Sequence, residues 1–186
     1  MQTSECYSMS RTRRRDGLVD WMGDELFTHA ITLIPNRRNI SFDLLRKMLG
    51  SFCYELDRYV LGVKHPHLRN SHDRLHLIAM PEKLGVNPHL HGVANFSPSF
   101  MGDRLNERWE TKLDNIWRSV SGKAGETHLI ADFDRGLLRY FAKEALRSDH
   151  EYLHSWDFHR NDKLRKRPTA TSLQRNAAPR KAVLNS

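Results

Sequence analysis

Two strand-like segments, "RLHLIAMPE" (residues 74–82) and "PHLHGVANFS" (residues 88–97), stand on either side of the short link "LGVN". A parallel pair needs a crossover of a dozen or more residues, and this link has no room for one. The two segments must therefore hairpin and pair antiparallel, which excludes an all-parallel sheet. Two further strands are expected from β-branched and aromatic residues: "ELFTHAITLI" (residues 25–34), ended by Pro35 and Asn36, and "ETHLIADF" (residues 126–133).

Helical spacing fills the rest. Residues 41–62 repeat Leu44, Leu45, Met48, Leu49, Phe52, Leu56 and Tyr59 at intervals of three and four, with Ser41 as cap and Gly62 as stop. Residues 101–122 place Leu105, Trp109, Leu113, Ile116 and Trp117 on one face. Residues 134–149 form a third helix capped by Asp134. The order βαββαβα with adjacent antiparallel strands gives the fold class: α+β, a central antiparallel sheet with helices packed on it. At 186 residues the chain suits one such domain. We expect it to span residues 21–159, between a disordered basic N-terminal arm (1–20) and a disordered basic C-terminal tail (160–186).

Charge follows that division. The formal net charge is +8, yet residues 17–159 hold 18 Lys and Arg against 19 Asp and Glu. The excess lies in Arg11, Arg13, Arg14 and Arg15 and in the run that includes Lys163, Arg165, Lys166 and Arg167. Such ends bind phosphate backbones without sequence preference, or simply keep a chain solvated. No apolar stretch reaches membrane-spanning length, and two cysteines make no disulfide framework. A cytosolic compartment is the default expectation.

The chemistry concentrates in "PHLHG". On a strand, residues two apart share a face, so the imidazoles of His89 and His91 can reach one cation while Leu90 turns to the other side. Glu82 ends the preceding strand, and the hairpin returns it to the same edge. Two histidines and a carboxylate suit Mg²⁺ or Mn²⁺ when a substrate brings phosphate, and would also hold Zn²⁺. The bland alternative is a pair of hydrogen-bonded, half-buried histidines beside a surface glutamate. A second His-x-His, His65-Pro66-His67, sits among loop residues and reads as surface. In "LLRYFAKEAL", Tyr140 and Lys143 are three apart and share a helix face. A phenol ionises near pH 10, so a nearby ammonium and a metal-bound phosphate would both favour its attack. The alternative is an ordinary amphipathic helix.

Together these segments resemble the HUH-type replication initiators (Rep endonucleases) of rolling-circle replicons, in particular those of small single-stranded DNA viruses and related plasmids and bacterial elements. The resemblance runs from about Phe27 to Ala145. "AITLIPN" is similar to that family's apolar-Thr-apolar strand, "PHLHGVANF" to its His-x-His strand and "YFAKE" to its Tyr-x-x-Lys helix. The resemblance implies metal binding by Glu82, His89 and His91. It implies nucleophilic attack by Tyr140, with Lys143 in support, on single-stranded origin DNA, giving a 5′-phosphotyrosyl link. It also implies a host helicase and polymerase acting in trans, in the cytoplasm or, in a eukaryotic host, the nucleus. Many viral relatives carry a helicase domain, and no Gly-x-x-x-x-Gly-Lys phosphate loop occurs in these 186 residues. Motif one departs from the family pattern at Ile34-Pro35, which leaves Asn36 without an assigned role. Two other readings use the same scaffold. One is a transposase or relaxase, although such transposases favour Gln over Lys after the tyrosine, and the N-terminal Tyr7 is a poor relaxase nucleophile. The other is a DNA-binding protein without catalysis.

Overall fold

A computed structural model describes residues 3–24, 27–66, 69–106, 108–145 and 152–159. Its centre is a sheet of β1 (His29–Ile34), β2 (Leu77–Glu82), β3 (His89–Ala94), β4 (Glu126–Ala131) and β5 (Leu153–His154). The spatial order is β4-β1-β3-β2-β5, and every pairing is antiparallel. The helices are α1 (Thr3–Asp24), α2 (Phe42–Leu61), the single turn α3 (Pro98–Met101), α4 (Trp109–Ser121) and α5 (Arg135–Ala145). The expected α+β fold is the one observed.

Strand alternation divides the core in two. Ile31, Leu33, Leu77, Ala79, Leu90 and Ala94 point to one face and pack against Leu45, Leu49 and Phe52 of α2 and Leu113 and Trp117 of α4. Ala30, Ile78, Met80 and Val93 point to the other face, beneath α1 and α5. Local chemistry sets the helix ends as the sequence suggests. Ser41 Oγ accepts from the Leu44 N–H at 3.2 Å, and Gly62 leaves α2 at φ 64°. Asp134 Oδ1 accepts from the Leu137 N–H at 2.9 Å at the start of α5. Pro81 fits within β2 because β5 pairs only with Ile78 and Ala79, which leaves β2 an edge strand at Pro81.

Three expectations need correction. The basic arm to Asp20 is helical, as part of α1. Its last turns carry Val19 and Met22, both almost wholly buried against Leu138, Phe141 and Ala142 of α5. Apolar residues confined to one end of a long polar helix leave no periodicity along the rest, so the segment reads as a tail. The helix expected over residues 101–122 begins at Trp109. Gly102, at φ 51°, breaks the chain after α3, and Leu105 is left exposed. Finally, residues 152–159 add β5 and a 3₁₀ turn, Ser155–Phe158, to the edge of β2. The tail from residue 160 onward lies outside the described residues.

The docked segment is held by histidine and tryptophan. His154 Nδ1 accepts from the Trp156 N–H, so Nε2 of neutral His154 carries the proton and faces His76 Nε2 at 3.1 Å. His76 also stacks on Trp156, ring centroids 4.9 Å apart. Burial, with the charge of His72, pushes the His76 pKa down from 6.5 to about 4. The unfolded chain therefore takes up this proton first. The stabilisation is complete above about pH 6.5 and is lost as the pH falls towards 4, reaching about 3 kcal/mol. The urea midpoint is expected to fall between pH 7 and pH 4.5. A His76→Phe variant should be weaker at pH 7, because His154 loses its partner, but should show a flatter acid limb. An acid limb as steep as in the parent protein would exclude His76 as a main contributor. His91, also held down to about 4, acts in the same direction and leaves part of the slope in place.

Candidate metal centre

The β2–β3 register sets Glu82 directly opposite His89 and Met80 opposite His91. The three side chains therefore rise from the same face, at the end of the sheet that α5 only partly covers. Gly92 makes this closeness possible. A β-carbon there would sit 2.1 Å from the Ile78 carbonyl oxygen and 3.0 Å from Ala79 Cα. Only glycine lets β3 run this close to β2 beside the second histidine.

Glu82 Oε2 lies 3.3 Å from His89 Nε2 and 3.1 Å from His91 Nε2. The far ring nitrogens are engaged elsewhere. His89 Nδ1 faces the Asn87 carbonyl oxygen at 2.8 Å, so Nδ1 carries the proton and the neutral ring presents a bare Nε2. His91 Nδ1 pairs with Thr32 Oγ1 at 2.9 Å across the β1–β3 register, and the hydroxyl can accept in the same way. Three electron-pair donors thus converge, all within 4.8 Å of one another. Two ligands on one cation at about 2.1 Å stand roughly 3.0–3.4 Å apart, depending on octahedral or tetrahedral geometry. The carboxylate–imidazole distances match that spacing.

Electrostatics agree with the geometry. Burial pushes the His91 pKa down to about 4, helped by His89 and Lys83 and opposed by Glu82, so the ring is neutral near pH 7. Burial works to raise the Glu82 pKa, but His89, His91 and Lys83 outweigh it and hold the carboxyl below its ordinary range. An ionised carboxylate facing two imidazole lone pairs calls for a cation between them. These residues therefore fit a divalent ion.

Helix α5 closes the site from above. Phe141 stacks on His91, with ring centroids 5.3 Å apart and planes at 15°. The next ring along, Tyr140, is 45 % exposed, and its hydroxyl oxygen is 3.5 Å from Glu82 Oε2. Glu82, His89, His91 and Tyr140, separated by as many as 58 positions in sequence, therefore meet as anticipated. Lys143 is exposed one turn beyond Tyr140 and makes no ion pair among the described residues. Arg13 and Arg14 are exposed on α1, while Arg15 reaches Asp16 at 3.3 Å. Lys163, Arg165, Lys166, Arg167 and His67 lie outside the described residues.

Sequence reasoning missed three members of the site. Thr32 was noted as part of a pattern but not as the partner of His91; only the β1–β3 register joins them. Lys83, at φ 51°, brings its ammonium to 3.5 Å from Glu82 Oε1. Phe141 reads as core and is also the platform for His91. Thr32→Val keeps the shape of the side chain and removes only the hydroxyl. Mn²⁺ affinity is expected to fall about tenfold, as is usual when the partner of a ligating histidine is lost, with little change in thermal stability. Unaltered Mn²⁺ affinity would show that Thr32 does not orient His91.

No family model, no curated protein and no solved structure matches this chain. Among the described residues no helix is long and apolar enough to cross a membrane.

Proposed function

We propose that this protein is a metal-dependent phosphoryl-transfer enzyme that cuts and rejoins a nucleic-acid strand through a tyrosine. More particularly, we read it as an initiator of rolling-circle replication that nicks single-stranded origin DNA. The observation that carries this reading is the half-exposed Tyr140 hydroxyl beside the carboxylate shared by His89 and His91.

Glu82, His89 and His91 would hold Mg²⁺ or Mn²⁺, which when bound supplies a Lewis acid for the scissile phosphate. Tyr140 stands at the open rim, where a strand can approach. Its phenolic oxygen attacks phosphorus, the bond from phosphorus to the 3′ oxygen breaks, and a 5′-phosphotyrosyl ester forms. The phenolic proton passes to solvent, and the departing 3′ oxygen takes one up, leaving the hydroxyl that primes synthesis. Rejoining is the reverse, so no nucleotide cofactor is consumed. Lys143, one turn on, and Lys83, beside Glu82, place positive charge where phosphate charge gathers. A host helicase and polymerase would act in trans, in the cytoplasm or, in a eukaryotic host, the nucleus. Arg13, Arg14 and Arg15, with Lys163, Arg165, Lys166 and Arg167, would add backbone contacts without base preference.

The test is incubation of the full chain with Mn²⁺ and a pool of single-stranded oligonucleotides labelled at either end. The 3′-labelled fragment is expected to become protein-linked, and the 5′-labelled fragment to end in an extendable hydroxyl. Binding without cleavage across the pool would favour a DNA-binding protein without catalysis.

A further inference from the structure

We infer that the cleft between the β1–α2 loop and the β2–β3 hairpin seats a second backbone phosphate of the same DNA strand, beside the one at the metal centre. This inference rests on the proposed strand-cutting function and adds a binding site to it.

The cleft has a volume of about 540 Å³, and Asn36, Arg37, Arg38 and Asn39 form one wall, with Gly85, Val86 and Asn87 forming the other. That is large enough for a nucleotide-sized group. Two guanidinium groups line it and no carboxylate does. Neither Arg37 nor Arg38 makes an ion pair among the described residues. The larger cavity on the outer side of α2, about 1150 Å³, differs in this respect: Asp43, Glu55 and Asp157 line it alongside its basic groups, and it is poorly suited to an anion. Paired arginines with no internal carboxylate match the charge and the planar, two-pronged recognition of a phosphate.

The wall is held in place before any ligand arrives. Asn36 and Asn39 adopt left-handed φ values of 50° and 56°, which a flexible loop of non-glycine residues seldom holds without support. The Asn36 amide donates to the Ala124 carbonyl oxygen at 2.7 Å, which ties this loop to the turn before β4. Asn36 therefore acts as an anchor for the arginines that follow it. On the other wall, Val86 is 76 % exposed and offers an apolar surface to a sugar or base. Asn87 belongs to both sites, because its carbonyl oxygen accepts from His89 Nδ1. The cleft and the metal centre therefore share a residue, and one strand can occupy both.

The experiment compares the full chain with its Arg37→Gln/Arg38→Gln variant. Controls carry Lys47→Gln/Lys64→Gln, which remove the same charge from exposed sites elsewhere. Anisotropy of a labelled single-stranded oligonucleotide, titrated at several salt concentrations, gives affinity and salt slope, and Mn²⁺ titration reports the metal centre separately. The arginine variant is expected to bind DNA at least about tenfold more weakly. Its salt slope should be shallower by about 1.4, for two lost contacts on a single strand. Its Mn²⁺ affinity should be unchanged. Equal affinity and slope in the arginine variant and the parent, or equal losses in the lysine controls, would overturn the second phosphate site. If the parent nicks the strand while the arginines prove irrelevant, only this inference fails. If the arginines govern binding but no strand is ever cut, the cleft stands and the enzymatic reading fails.

Discussion

Tyr140→Phe is expected to abolish covalent capture of DNA, with cleavage falling by at least about 10⁴-fold, while single-strand affinity stays within about twofold of the parent. The substitution removes one oxygen. The ring remains, and with it the edge-on contact to His91 at 5.9 Å between centroids. Phe141 and Leu138, which seat α5 on the sheet, are unaffected. Little stability should therefore be lost, because the hydroxyl is half-exposed and its carboxylate contact is long. Transfer of label from a 3′-labelled strand to protein on a denaturing gel makes the measurement. Continued labelling of the Phe variant would move the nucleophile to another tyrosine, such as Tyr54, whose hydroxyl donates to the Lys64 carbonyl oxygen, or Tyr59 or Tyr152.

His91→Ala should be nearly as severe, for a different reason. It removes one of three donors and leaves Glu82 facing His89 alone. Loss of a group that merely supports a ligand costs 10–100-fold in metal affinity, so loss of the ligand itself should exceed about 100-fold. Cleavage at low Mn²⁺ is expected to disappear, with partial recovery at high Mn²⁺. The same change at the exposed His65 should alter neither quantity. Because Phe141 stacks on His91, the alanine also opens a gap under α5, and thermal unfolding should be recorded beside the metal titration. His91→Asn offers a second variant that fills part of that gap. If both variants cut DNA as the parent does at limiting Mn²⁺, the trio is not the metal centre.

Several features of this protein are properties of the sequence alone. The short link at "LGVN" forces an antiparallel hairpin, and strand alternation then puts His89 and His91 on one face and Leu90 on the other, where it is buried. The caps at Ser41 and Asp134 and the stop at Gly62 are local chemistry, fixed within a few residues, and each is found where expected. The pairing of Glu82 with the histidines follows from hairpin register. What could not be read locally depends on partners distant in the chain. Helix α1 is seated by Val19 and Met22 against residues of α5 more than a hundred positions away, and its own composition gives no hint of them. Helix α4 starts late because Gly102 turns the chain, an event that apolar spacing does not record. Thr32 meets His91 only because β1 lies between β3 and β4 in the sheet, and neighbouring strands in space need not be neighbours in sequence. The height of Tyr140 above Glu82 depends on how α5 packs, through Leu138, Phe141 and Ala142, on Ile78, Met80 and Val93. The sequence by itself determined which side chains share a face. The tertiary structure decided which faces meet, because packing joins residues by shape and burial, and neither is encoded at a fixed spacing along the chain.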